Sequence, residues 1–162
     1  MFLLGLSGTA LAAAPAKDAP RALGTFADWT AATHGSGKAM VCYAFTRASD
    51  SAPAIPHRGA VLLSVTEREG GRDEVTLSAG YPYAKDAAPS LQVDTKSFDL
   101  YTAGDNAFAR DGHAAVAAFQ RGSTTIAHGT GPRGQAVVDT FSLKGFSAAY
   151  AAIVKACPPA RK

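Results

Sequence analysis

Apolar and polar positions alternate with period two along most of the chain and switch to a helical period only twice. From Lys38 to Thr46, Met40, Cys42 and Ala44 fall on one face and Val41, Tyr43 and Phe45 on the other. Both faces are apolar, which predicts a central strand covered on both sides. Arg58 to Arg68 places Val61, Leu63 and Val65 on one face. Gly70-Gly71 suits a tight turn with positive φ. Glu74 to Ala79 then returns with Val75, Leu77 and Ala79 inward, which makes this the clearest hairpin. Leu91 to Thr95, Ser97 to Thr102 and Ala107 to Arg110 predict short strands, the last two joined by a turn at 103–106. Thr124 to His128 and Gln135 to Ser142 predict a final hairpin. Phe26 and Trp29 open the domain, with Asp28-Trp29-Thr30 as the end of a first strand.

The helical period appears first after Asp111, a fitting N-cap for a helix with Ala115, Val116 and Phe119 on one face and Gly122 at its end. It returns at the C-terminus. Phe146, Ala149, Tyr150, Ile153, Val154 and Cys157 form one stripe, so Cys157 points into the protein. Eight or nine strands and two short helices predict a mainly β fold. The expected form is an antiparallel β-sandwich of immunoglobulin-like architecture, with two short helices, one of them C-terminal, as lids. Two long loops interrupt the pattern: 47–57, where Pro53 and Pro56 oppose regular pairing, and the stretch from Gly80 to about Pro89.

A length of 162 residues fits one domain, able to bury roughly 70% of the surface its unfolded chain exposes. Charged residues make up 18% of the chain, with a net charge of +3 and a pI near 9.0. The charges are scattered and mixed in sign, as in Glu67-Arg68-Glu69-Gly-Gly-Arg72-Asp73-Glu74. A nucleic-acid partner would need a basic stripe, and none is visible. Residues 1–14 are apolar, end in small residues and carry Ala10-Leu11-Ala12, which fits a cleavage site. They are read as a signal peptide or part of one, although no basic residue precedes the apolar run. The run is too short to span a bilayer, so the mature chain is expected to have no transmembrane segment. Residues 15–24, with Pro15, Pro20 and Gly24, read as a linker, 25–158 as the domain and 159–162 as a tail. Two cysteines in an exported chain are most simply one disulfide, Cys42 to Cys157. Two buried free thiols are the rival.

No catalytic constellation emerges. Gly129-Thr-Gly131-Pro-Arg-Gly134 has the spacing of a dinucleotide fingerprint, but a strand follows it where a helix is required. His34, His57, His113 and His128 lack metal-ligand spacing. Ser36 sits between glycines without the supporting groups of a nucleophile. Asp73-Glu74 and Asp99 read as charges that solvate strand ends. Neither cofactor nor metal is implied. The one surface feature to watch is Tyr81, Tyr83 and Lys85 in the second loop. Exposed tyrosines bring large contact area at low entropy cost, while rings folded onto the sandwich edge are the alternative.

The ordered set of Trp29, Val41-Cys42-Tyr43, Arg58-Gly59, Gly80-Tyr81-Pro82, Arg110-Asp111, Arg133-Gly134, Asp139-Thr140-Phe141-Ser142-Leu143, Gly145-Phe146 and Cys157 resembles the invasion-associated locus B family of exported bacterial proteins. The resemblance implies a periplasmic or envelope-associated protein with a sandwich-like β fold. It also implies host-cell invasion in pathogenic members, without an established catalytic site. The expectation is therefore an exported protein of the periplasm, outer-membrane associated or secreted, that binds an envelope or host protein not identified by the sequence. The loops 47–57 and 80–90 are its candidate contact surface. The alternatives are a periplasmic hydrolase built from His57, His113 and His128, and a structural protein of envelope maintenance.

Overall fold

The computed structural model describes residues 19–160. Residues 1–14, read as a signal peptide, residues 15–18 of the segment read as linker and the last two residues of that read as tail lie outside them. Among the described residues eleven strands and two α-helices follow one another. The first six strands are β1 (Arg21–Phe26), β2 (Trp29–His34), β3 (Val41–Arg47), β4 (Asp50–Ala52), β5 (Leu62–Arg68) and β6 (Gly71–Ser78). They are followed by β7 (Ser90–Val93), β8 (Lys96–Ala103), β9 (Asn106–Ala109), α1 (Gly112–Phe119), β10 (Thr124–Thr130), β11 (Ala136–Ser142) and α2 (Phe146–Ala156). All pairings are antiparallel, in the order β1-β2-β3-β5-β6-β9-β8-β7-β10-β11-β4.

The sheet becomes sandwich-like because β8 serves two layers. Its first half, Lys96 to Asp99, pairs with β7, and its second half, Leu100 to Ala103, pairs with β9. The two layers and both helices bury their inner faces in one core that includes Trp29, Leu63, Leu91, Phe119, Phe141 and Phe146. Trp29 ties the layers together. Its Nε1 donates to the Ser142 carbonyl at 2.9 Å, and its ring meets Phe146 edge-on at 4.8 Å. The connectivity is largely a meander, since most neighbours in the sheet are consecutive in the chain.

Several boundaries differ from the sequence reading. β1 begins at Arg21, inside the segment read as linker, because β2 offers it a full partner. Trp29 opens β2 rather than closing a first strand, and the turn falls at Ala27-Asp28. β3 is central, between β2 and β5, but covered on one side only. Cys42, Ala44 and Thr46 are buried while Val41, Tyr43 and Phe45 are half-exposed. The 47–57 loop contains β4, which pairs with β11 ahead of Pro53. A proline withdraws only its own N–H, so the three residues before it remain free to pair.

The helices form as their periods predict. Asp111 caps α1 by accepting from the Ala114 amide at 2.9 Å, and Ala115, Val116 and Phe119 are buried. α2 buries Phe146, Ala149 and Ile153 against β2 and β3. Cys157, at its C-cap, is joined to Cys42 across a Cα separation of 6.0 Å. The bond spans 115 residues of sequence and fixes the C-terminal helix to the centre of the sheet.

Candidate functional site

Two polar clusters are built into the fold, and one joins the two loops singled out as contact surface. Arg58, just before β5, reaches across to β11. Its Nη1 and Nη2 donate to the two carboxylate oxygens of Asp139 at 2.8 and 2.7 Å, and its Nε donates to the Ala79 carbonyl at 2.7 Å. The pair is 7% and 5% exposed. Bidentate guanidinium–carboxylate geometry of this kind is strong and directional. The Arg58 guanidinium also lies 5.0 Å over the Tyr81 ring, and Tyr81 meets Tyr83 edge-on at 5.7 Å. Ile55 from the first loop packs with Tyr83 against Ala79, Tyr81 and Val137. The two loops thus share one small core above β11.

This placement decides what the predicted contact residues can do. Tyr81 is buried and Tyr83 half-buried, so both rings pack within the loop and only part of Tyr83 reaches the surface. Burial pushes both phenol pKa values up. Lys85 is exposed, with Pro82 and Asp86, and these carry the outer surface. The loops are held by contact between Gly59 and Gly80. The Gly59 amide donates to the Gly80 carbonyl at 2.9 Å. A Cβ on Gly80, at φ +74°, would run into the Gly59 carbonyl oxygen. Only glycine fits there.

The second cluster lies beside the disulfide. Cys42 on β3 is paired in register with Glu67 on β5, and Glu67 is fully buried. Its Oε1 accepts from the Asp73 amide at 3.0 Å. Its Oε2 lies 2.5 Å from Arg72 Nε yet receives no directed hydrogen bond. Arg72 Nη1 donates to the Cys157 carbonyl at 2.6 Å. Asp73 is itself held at φ +52°. It accepts from the Tyr150 hydroxyl of α2 at 2.5 Å and meets His113 Nδ1 of α1 at 2.8 Å. A register shift between Thr66 and Arg68 accompanies this arrangement, a bulge that re-aims side chains.

The charges are tuned accordingly. Burial, reinforced by the Asp73 carboxyl, pushes the Glu67 pKa up to about 7 against the pull of the Asp73 amide and Arg72. Burial also opposes ionisation of Asp73, but hydrogen bonds from Tyr150, His113 and Glu67 outweigh it and hold the pKa below the usual range. The hydrogen bond to Asp73, and then its charge, raise the His113 pKa. Burial and the same carboxylate raise that of Tyr150. The cluster can take up and release a proton near neutral pH, and it fastens both helices to the sheet.

The remaining histidines do not join it. His57 lies in the first loop, His128 in β10 and His34 at the end of β2. Among the described residues no group of three or more His, Cys, Asp or Glu is placed to hold a metal ion. No helix among them is long and apolar enough to cross a membrane. The glycines 129, 131 and 134 lie at the β10–β11 hairpin, where no helix follows. Asp73, read from sequence as a solvating charge, is buried together with Glu67. The signal was present: period two from Val65 to Glu67, and from Asp73 to Val75 and Leu77, puts both carboxylates on the inward face. Asp139 lies likewise between the buried Val137 and Phe141.

Comparison with known proteins agrees with this architecture. The family model described as Invasion associated locus B protein matches residues 29–154. The crystal structure of invasion associated protein B from Bartonella henselae is similar, with a TM-score of 0.57 and 20% sequence identity. The match covers 82% of this chain and 96% of that one. At this identity the likeness is one of fold. No curated protein sequence gives a match.

Proposed function

The chain belongs to the invasion associated locus B family, and from that premise we propose that it is an exported envelope protein that acts by binding and serves host-cell invasion. The observation that carries the reading is the Cys42–Cys157 disulfide. Such bonds form and persist in oxidising compartments such as the periplasm. Here the bond anchors the last helix to the central strand, so the fold depends on the compartment. The apolar residues 1–14 would direct the chain there. The surface we assign to the partner is the outer side of the joined loops, where Lys85 and Pro82 are exposed above the sealed Arg58–Asp139 pair.

A second reading, a periplasmic hydrolase, draws on one observation. Asp73 orients His113 through Nδ1, which would leave Nε2 at the surface as a general base. The side chain is 89% exposed, outside any cleft that could exclude water. Binding is therefore favoured.

The test is the intact mass of the protein from a periplasmic fraction, with and without reductant before thiol alkylation. A leader removed near residues 12–14, with thiols alkylated only after reduction, is expected. An uncleaved cytosolic chain with two freely alkylated thiols would overturn export. Photo-crosslinking from position 85 in the same fraction tests the surface. A discrete adduct lost on adding excess unlabelled protein is expected, and its absence would reject the loop surface.

A further inference from the structure

Beyond the loop surface, the outer face of the larger sheet layer has a relief that the strand register defines. The core and both helices lie on the inner side of β2, β3, β5 and β6. On the outer side the two middle strands carry hydroxyls, Ser64 and Thr66 on β5 and Thr76 and Ser78 on β6, all half-exposed, with Leu62 beside Ser78 closing one end. The flanking strands carry rings. Phe45 of β3 pairs in register with Ser64, Ser64 with Thr76, Thr76 with Phe108 of β9, and Phe108 with Tyr101 of β8. Tyr43 stands one row along, opposite Thr66.

The result is a shallow trough with a hydroxyl floor two strands wide and an aromatic wall on each side. From β3 to β9 is three strand spacings, about 14 Å. The rings of each side lie beside one another, tilted on β3 and stacked across β8 and β9. Tyr43 and Phe45 are 6.1 Å apart at 31°, and Tyr101 and Phe108 are 5.4 Å apart at 25°. Tyr101 is 47% exposed, with the Arg110 guanidinium 5.7 Å over its ring. The charges at the Glu74 end are already spent on each other, since Glu74 pairs with Arg68.

We propose that this trough binds an uncharged oligosaccharide chain. A sugar ring offers C–H groups on its faces and hydroxyls at its edge. Aromatic walls take the first by apolar contact, and the hydroxyls of Ser64, Thr66 and Thr76, each both donor and acceptor, take the second, while Ser78 donates to Asn106 Oδ1 and offers only its lone pairs. A protein partner fits less well, because the cores of protein interfaces are depleted in serine. A polyanion would find the floor's cation, Arg68, already paired with Glu74.

The experiment is amide chemical-shift mapping of the isotope-labelled, disulfide-bonded protein, titrated to millimolar concentration with cellotetraose, maltotetraose and chitotetraose. At least one should shift Ser64, Thr66, Thr76 and Phe108. Phe45→Leu, which removes a ring bordering the floor and keeps apolar bulk, should weaken that binding about tenfold. Thr76→Val, which keeps shape and removes a hydroxyl, should weaken it by a factor of about five. Both variants should keep the wild-type melting temperature to within about 3 °C. No shift with any of the three sugars would overturn the proposal, as would shifts confined to residues 80–90 or unaltered binding in both variants. Concentration-dependent shifts of this face without sugar would overturn it in favour of a second copy of the chain.

Discussion

Replacing Glu67 by glutamine tests whether the buried carboxyl is held neutral. In the folded protein the Glu67 pKa is about 7 against an ordinary value of 4.5. Between these values the folded state keeps a proton that the unfolded chain has released. Rising pH therefore works against folding across this window, and the Glu67 contribution is greatest below about pH 4.5. A displacement of this size corresponds to at most ~3 kcal/mol. Arg72, whose side chain is 33% exposed, opens the pair to solvent, so about 1–2 kcal/mol is expected after screening. For a domain of this size that is a fall in melting temperature of about 3–8 °C from pH 4.5 to 7.5. The glutamine side chain of the variant stays uncharged at every pH, so the slope should flatten. Calorimetry of the disulfide-bonded protein at several pH values measures it. His113 contributes with the same sign, because its raised pKa gives stability that is present below about 6.5 and lost as pH climbs through the folded value. A His113→Gln control separates the two. Asp73 works the other way, its contribution fading as pH falls below about 3.8, so the measurement should stay above that range. A Glu67→Gln variant with the wild-type slope, or a wild type that gains stability from pH 4.5 to 7, would refute a neutral buried carboxyl.

Three further outcomes follow from the same contacts. Reducing Cys42–Cys157, or replacing both cysteines by serine, releases a loop of 115 residues and should lower stability by about 2–5 kcal/mol, read by urea unfolding with and without reductant. Asp139→Asn leaves the buried Arg58 guanidinium without its charge partner and should cost about 3–5 kcal/mol. The double variant Arg58→Met with Asp139→Leu should recover part of that loss, and a double variant worse than the single would reject the reasoning. Gly112→Ala would drive a Cβ into the Asp73 carbonyl oxygen. It should cost about 2 kcal/mol or more although alanine is the better helix former, and an unchanged melting temperature would contradict the close approach.

The parts of the fold legible in the sequence were those governed by local periodicity. Val75, Leu77 and Ala79 alternate inward as their spacing requires, and the capping of α1 by Asp111 and the stripe of α2 follow from helix geometry alone. The disulfide followed from chemistry rather than pattern, as two cysteines in a chain read as exported have one partner each. What local pattern could not supply was the environment on the far side of each strand. Tyr43 and Phe45 have the apolar character of a covered face, yet they stay half-exposed and no described element packs over them, because both helices and the second layer went to the inner side. The pairing of β4 with β11 and the placement of Arg58 against Asp139 join distant parts of the chain, the second pair 81 positions apart. No local preference encodes that distance. Glu67 and Asp73 were the sharpest case. Their inward spacing was visible, but a charge at an inward position is stable only if partners arrive from elsewhere. Those partners, Tyr150, His113 and Arg72, come from two helices and a neighbouring strand that meet only in the folded chain. Period and composition set which residues turn inward, and tertiary packing decided which polar groups could be kept there.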